Sequence, residues 1–140
     1  MNLVLDNSVT MRWFFEDGNL TDLAYADKVL ASMTTSNAIV PLTWGLEVAN
    51  VLARAESKQQ IIATEIRTYI EILRGLDIEV DTDTFEHTLS DTLQLARAHN
   101  LSSYDASYFE LAARMDIPLA TLDESLRKAA KRSHVKIFTK

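Results

Sequence analysis

Short, mostly apolar segments alternate along the chain with longer segments in which apolar residues recur every three or four positions. The short segments cover residues 3–5, 38–40, 78–80, 118–121 and 135–138, and the first, second and fourth are almost wholly apolar. Such runs are typical of strands that are covered on both faces of a parallel sheet. Strands that alternate with helices predict an α/β/α sandwich around a mainly parallel sheet of about five strands.

The longer segments have the periodicity of amphipathic helices. Three stripes indicate this: Leu23, Ala26, Val29 and Leu30; Leu46, Ala49, Asn50 and Ala53; Ile62, Ile66, Tyr69, Ile70 and Leu73. Further on, Asp83-Thr84-Phe85-Glu86 has the form of a capping box and predicts a helix to about His99. Ser103 and Asp123 are predicted to cap two later helices, and the first of these is expected to run to Met115.

Length and composition predict one globular domain over residues 1–140. The chain has three glycines, two prolines and no low-complexity stretch, so we expect neither a linker nor an internal repeat. It has no cysteine, which excludes a disulfide framework and a thiolate zinc site and favours the cytoplasm. Because no apolar run is long enough for a bilayer and no signal-peptide pattern is present, we expect no membrane insertion and no secretion.

Charge is distributed unevenly along the chain, whose formal net charge is −6. The segment from Arg127 to Lys140 contains six of the 14 basic residues and no acidic residue. All 20 acidic residues therefore lie in the rest of the chain, together with eight basic ones. Taken alone, the basic segment is most simply interpreted as the solvated end of a helix and a strand.

Four acidic residues stand where strands end or helices begin. Asp6 follows the first apolar segment, Asp123 follows the fourth, and Glu47 and Asp105 lie in the first turns of predicted helices. Singly, each acid has a structural explanation as a helix cap, a turn former or a partner of the helix dipole. Together, they can converge at the carboxyl ends of neighbouring parallel strands, where a divalent cation would relieve their repulsion. Oxygen ligands favour Mg²⁺ or Mn²⁺.

These residues resemble the PIN-domain family, and VapC-type toxins in particular. The resemblance extends over essentially the whole chain and rests on Val4-Leu5-Asp6-Asn7-Ser8, Glu47-Val48-Ala49-Asn50-Val51-Leu52, Tyr104-Asp105-Ala106-Ser107-Tyr108 with Leu111-Ala112, and Leu119-Ala120-Thr121-Leu122-Asp123. It implies the strand order 3-2-1-4-5. It also implies one metal-binding cluster made of Asp6, Glu47, Asp105 and Asp123, assisted by the hydroxyls of Ser8 and Thr121.

The activity that the resemblance implies is metal-dependent endoribonuclease activity, in which Mg²⁺ or Mn²⁺ activates water for attack on an RNA phosphodiester. It further implies a homodimer and a small antitoxin protein that blocks the site. On this hypothesis the basic segment contacts RNA phosphates, through Arg127, Lys128, Lys131 and Arg132.

Two other functions remain open at this stage. A phosphotransfer domain of the receiver or haloacid-dehalogenase kind also has an aspartate after its first strand, but it needs a second acid nearby, where this chain has Asn7 and Ser8. In a non-catalytic binding module the acids would be helix caps. The aromatic residues would then be core or partner surface, namely Trp13, Phe14, Phe15 and Trp44. The histidines lack metal-ligand spacing and are predicted to be surface or packing residues, namely His87, His99 and His134.

Overall fold

The computed structural model describes residues 2–139, whose strands form one parallel sheet. The strands are β1 (Asn2–Leu5), β2 (Asn37–Val40), β3 (Ile78–Val80) and β4 (Leu119–Ala120). Their order is β3-β2-β1-β4, and every neighbouring pair is parallel. The predicted order is thus confirmed for four strands, with β1 at the centre. In the centre of β1, Val4 pairs with Ile39 on one side and Leu119 on the other.

The predicted fifth strand is wrong within the described residues, because residues 135–138 form a single parallel bridge instead of a strand. Ile137 pairs with Leu119 beside β4, in the fifth position of the predicted order. Leu119 directs both its backbone groups to that side, donating to the Lys136 carbonyl at 2.9 Å and accepting from the Phe138 amide at 3.0 Å. Since β4 is only two residues long, it offers just this one residue for pairing on its outer side.

Helices surround the sheet. They are α1 (Asn7–Phe14), α2 (Leu20–Ser32), α3 (Trp44–Ser57), α4 (Ala63–Arg74), α5 (Thr84–His87), α6 (Leu93–His99), α7 (Ser103–Met115) and α8 (Glu124–Ser133), with a π-helical turn over Thr88–Thr92. None of the helices formed by residues 2–139 combines the length and the apolar character that crossing a bilayer demands.

Alternate residues of the central strands enter two separate cores, as the two-residue period of a strand requires. Leu3 and Leu5 pack with Val29 of α2 on one face of the sheet. Val4 packs with Phe109 of α7 on the other face, in a core that α8 completes. A third core lies between α1, α3 and α4, formed by Met11, Val48, Leu52, Ala55 and Ile61. This arrangement is the predicted α/β/α sandwich.

The face that α3 buries differs from the predicted one. The predicted stripe is exposed, including Leu46 at 74%, whereas Val48, Leu52 and Ala55 are buried. Both sets have helical spacing, so periodicity alone does not distinguish them. The third core, and with it Met11 of α1, decides which face turns inwards.

The predicted helix caps are partly wrong. The stretch from Thr84 to His99 is divided by the π turn, and Asp83 caps no amide through its side chain. The cap of α7 is Ser102 rather than Ser103, and its hydroxyl accepts from the Asp105 amide at 3.1 Å. The predicted cap of α8 is confirmed, because Asp123 Oδ1 accepts from the Leu126 amide at 2.9 Å.

Candidate active site

Asp6 lies at the carboxyl end of the central strand and is only 4% exposed. Although it directly precedes α1, its side chain caps no amide of that helix. Instead, Asp6 Oδ2 accepts hydrogen bonds from Ser8 Oγ at 2.6 Å and from Thr121 Oγ1 at 2.7 Å. The two hydroxyls, and not a capping interaction, therefore orient this carboxylate.

The same two hydroxyls connect Asp6 to the segment that follows β4. Ser8 Oγ accepts from the Leu122 amide at 3.0 Å, and Thr121 Oγ1 accepts from the Asp123 amide at 3.0 Å. Because each hydroxyl accepts a backbone N–H, its own hydrogen remains available for Asp6. The ends of β1 and β4 are thus held together by hydrogen bonds that converge on one carboxylate oxygen.

Glu47 is held by a tyrosine of another helix. It lies in the first turn of α3, and Tyr108 of α7 donates its hydroxyl to Glu47 Oε1 at 2.5 Å. Burial raises the pKa of Glu47; the Tyr108 hydrogen bond opposes this rise, and the charge of Asp105 adds to it. Burial, followed by the charge of Asp6 and the bond to Glu47, raises the pKa of Tyr108. Tyr108 therefore stays protonated and keeps donating.

The four acids are close enough to influence one another's ionisation. Burial raises the pKa of Asp6 from 3.8 to about 6, despite its two hydroxyl hydrogen bonds, and the charges of Glu47 and Asp123 add to the rise. Burial, followed by the charges of Asp123 and Asp6, raises the pKa of Asp105 to about 6, although a hydrogen bond with Ser102 opposes this. The fold thus brings together all four acids that the sequence singled out.

In three of the acids, only one of the two carboxylate oxygens accepts hydrogen bonds from the described part of the protein. Among the hydrogen bonds of residues 2–139, Asp6 uses only Oδ2, Glu47 only Oε1 and Asp123 only Oδ1. The other oxygen of each is left for a ligand. This is the arrangement expected where protein groups orient carboxylates that bind a cation.

The donor set fits an oxygen-ligated divalent cation. It consists of carboxylates whose pKa values are raised first by burial and then by their mutual repulsion, and a cation would oppose both effects. Within residues 2–139, the three-residue group whose ligand atoms all lie within 4.8 Å of one another is a different one, made of His87, Asp91 and Glu110. The four acids are therefore more widely spaced, and a bound cation would keep water among its ligands, as Mg²⁺ usually does.

The His87 group is part of a separate ion-pair network. His87 Nδ1 lies 3.0 Å from Asp91 and 3.7 Å from Glu110. The sequence spacing of the histidines did not predict these acidic partners. Glu110 already binds Arg114 at 2.8 and 3.1 Å, and Arg114 also binds Asp81 at 2.7 Å. The guanidinium of Arg114 thus already neutralises the buried carboxylate of Glu110. The network also connects the π turn to α7.

The basic residues predicted to contact RNA differ in their availability. Arg127 Nε donates to the Thr121 carbonyl at 2.8 Å, and its guanidinium lies 4.7 Å from the centre of the Tyr25 ring. Arg132 Nη2 lies 3.3 Å from His99 Nδ1. Arg127 is therefore half-buried and binds groups of the protein itself. The two remaining predicted residues are exposed on α8, namely Lys128 and Lys131.

Sequence reasoning did not identify Tyr108 as the partner of Glu47. Tyr108 is fully buried. A signal was nevertheless present: Tyr108 lies three residues after Asp105 on the same helix, and residues at this spacing are neighbours on the helix surface.

Comparison with known proteins agrees with this geometry. The family model of the PIN domain matches residues 3–132. Among solved structures, the chain is similar to PAE2754 from Pyrobaculum aerophilum, with 21% sequence identity and a TM-score of 0.64 over 92% of this chain and 87% of that one. At this identity the likeness shows a shared fold alone. No curated protein matches the chain. The extent of the family match, nearly the whole chain, shows that the protein belongs to the PIN-domain family, whose fold is that of a metal-dependent nuclease.

Proposed function

We propose that this protein is a Mg²⁺- or Mn²⁺-dependent endoribonuclease and the toxin of a toxin–antitoxin pair. The observation that carries the proposal is Asp6, a buried carboxylate fixed by two hydroxyls at the carboxyl edge of the sheet, among three further acids. Burying an unpaired charge costs free energy, and a divalent cation bound among the four acids would offset that cost. Membership of a nuclease family supports the same conclusion.

Asp6, Glu47, Asp105 and Asp123 are the residues that would hold the cation. When bound there, it would lower the pKa of a water molecule and neutralise charge on the scissile phosphate. Ser8 and Thr121 keep one Asp6 oxygen engaged so that the other is presented to the site.

Proton transfer falls to one of the carboxylates. Asp105, a half-buried carboxylate beside Asp6 and Asp123, would accept the proton from the attacking water. It lies in the first turn of α7, where the helix holds its backbone in place. In this proposal all four acids hold the cation, and Asp105 in addition accepts the proton.

The proposed partners are RNA, a small antitoxin and a second copy of this chain. Exposed apolar surface beside the acids supports a protein partner, since Leu46 is 74% and Tyr104 58% exposed in the depression that also contains Glu47. An antitoxin bound there would cover the site. Expression of the chain alone is accordingly expected to arrest growth, and Asp6→Asn is expected to relieve the arrest.

The test is cleavage of a pool of structured and single-stranded RNAs by wild type and Asp6→Asn, with Mg²⁺, with Mn²⁺ and with excess chelator. Asp27→Asn on α2 is the matched control, because Asp27 is exposed and lies outside the cluster. Cleavage by wild type and Asp27→Asn that needs the metal and disappears in a folded Asp6→Asn is the expected result.

Other outcomes would contradict the proposal. Cleavage that survives in Asp6→Asn would show that the chemistry takes place elsewhere. A folded wild type that neither cleaves RNA nor gains thermal stability from either metal would favour the non-catalytic binding module.

A further inference from the structure

A cleft of about 520 Å³ lies beside the acidic site and is lined by three basic and two acidic side chains. We call it the basic cleft, after Arg12, Arg54 and Lys58. The acids are Asp17, which is paired with Arg12, and Asp22. Ser8 and Leu122 also line it, and Ser8 is the residue that binds Asp6. The basic cleft therefore opens directly from the acidic site.

The basic cleft is formed by one stripe of α1 and one stripe of α3. On α1 and its C-cap, Ser8, Arg12 and Phe15 follow one another at intervals of four and three residues, and all three line the cleft. On α3 and its C-cap, Glu47 is followed at the same kind of interval by lining residues, namely Val51, Arg54 and Lys58. Residues at these intervals share one helix face. Each stripe thus begins with a residue of the acidic site and continues to basic residues.

The three basic side chains differ in whether they already form ion pairs within the protein. Arg12 forms an ion pair with Asp17, and it packs so closely on Gly18 that a Cβ there would lie 3.1 Å from Nη1. Arg54 and Lys58 are exposed, and neither forms an ion pair within 4.0 Å in the part of the chain that the structure describes. Arg54 and Lys58 are therefore available to an anionic ligand.

The floor of the basic cleft is apolar, and it includes one aromatic ring. Met11, Val51 and Leu122 contribute aliphatic surface, and Phe15 contributes a half-buried ring. The ring of Phe15 meets Tyr69 edge to face, with 6.4 Å between centroids. A cationic rim above an apolar, aromatic floor is the combination by which proteins bind unpaired nucleotides, through phosphate contacts and base stacking.

We propose that the basic cleft binds the single-stranded RNA segment next to the scissile phosphodiester, with Arg54 and Lys58 neutralising phosphates and Phe15 contacting a base. The inference rests on the proposed nuclease function for its substrate class. It moves the main RNA contact from α8 to the basic cleft, because Arg127 is already bound to the Thr121 carbonyl and to Tyr25, and the exposed Lys128 and Lys131 do not line the cleft beside Ser8. A duplex would leave the apolar floor unused, since its bases are not exposed.

The experiment measures binding of a fluorescein-labelled, randomised 12-nucleotide RNA by anisotropy across a range of KCl concentrations, in the non-cleaving Asp6→Asn background. Three double variants are compared: Arg54→Ala/Lys58→Ala in the basic cleft, Lys128→Ala/Lys131→Ala on α8, and Arg67→Ala/Arg74→Ala on α4 as a control of equal charge. Loss of two phosphate contacts is expected to make the slope of log affinity against log salt shallower by about 1.4, and to weaken binding about 10- to 30-fold at 0.1 M KCl. The α4 pair should change binding less than about twofold.

Equal losses in all three variants would indicate attraction to overall charge and would overturn the inference. A loss confined to the α8 pair would overturn it too, in favour of the basic helix. Unchanged binding in the Arg54/Lys58 variant would also overturn the inference, and a peptide would then be the better candidate for the occupant of the cleft. Because the assay measures binding, it is independent of catalysis: the expected pattern together with an inactive wild type would leave the basic cleft in place and remove only the nuclease proposal.

Discussion

Replacing Asp6 by asparagine is expected to stabilise the metal-free protein at neutral pH, although the same change should abolish cleavage. Burial raises the pKa of Asp6 from 3.8 to about 6, so the folded state binds the proton more tightly than the unfolded state does. Stability is then highest below pH 3.8 and falls as the pH rises to about 6, above which the ionised carboxylate is a constant cost. Asparagine has no such charge.

The size of the effect follows from the shift. About two pKa units at about 1.36 kcal/mol each make the ionised Asp6 about 3 kcal/mol less favourable in the folded protein at pH 7. At pH 4 the corresponding cost is less than about 1 kcal/mol. Asparagine keeps the hydrogen bonds, because both hydroxyls donate to the same oxygen, Oδ2, and an amide oxygen in that position accepts both. Asp6→Asn should therefore gain about 3 kcal/mol at pH 7 and little at pH 4.

Urea unfolding followed by circular dichroism in excess chelator measures this difference at the two pH values, with Asp27→Asn as an exposed control. Added Mg²⁺ should about cancel this difference by stabilising only the wild type, by about 2.7 kcal/mol at 100 times its Kd. A variant that is no more stable than wild type at pH 7, or a gain of equal size at both pH values, would refute the idea that burial of a charge strains this site.

Further outcomes are expected at and around the site. Tyr108→Phe should cost about 1–2 kcal/mol in urea unfolding and lower activity at fixed Mg²⁺, because Glu47 loses its buried donor; equal activity would argue against orientation by this hydroxyl. Arg114→Met should cost about 3 kcal/mol, since it removes the arginine from both ion pairs and leaves Glu110 with His87 at 3.7 Å and Asp81 with no cation among the described residues; wild-type stability in this variant would contradict that reasoning. Metal-dependent cleavage should rise between pH 5 and 7, because protons compete with the cation for carboxylates of pKa about 6, and a flat profile would exclude such competition.

The sequence by itself was sufficient to predict the elements that carry the acids. Apolar runs such as Leu3-Val4-Leu5 leave little choice but a covered strand, and Asp6 must then stand at its carboxyl end. The strand order of β1 to β4 also followed, through the resemblance of the motifs to a family. The elements depend on residues that are neighbours in the chain, and local pattern contains that information, whereas the strand order came from the family resemblance.

Other predictions failed where the local sequence is compatible with more than one structure. The sequence of α3 offers two apolar faces, and packing against Met11 selects the one that buries Leu52. The segment 135–138 has the composition of a strand, but β4 provides one residue, Leu119, for it to pair with. In both cases the deciding contact comes from another part of the chain, which periodicity does not report.

The chemistry of the site was decided by the tertiary structure. The sequence determined that four acids stand near strand ends, but not that Thr121 would hold Asp6 or that Tyr108 would hold Glu47. Hydrogen bonds of this kind join residues of different elements, and burial, which raises the pKa of Asp6, is a property of the packed whole. The sequence therefore determined which groups are present near the site, while the packing of α1, α3, α7 and β4 determined their orientation and their charge.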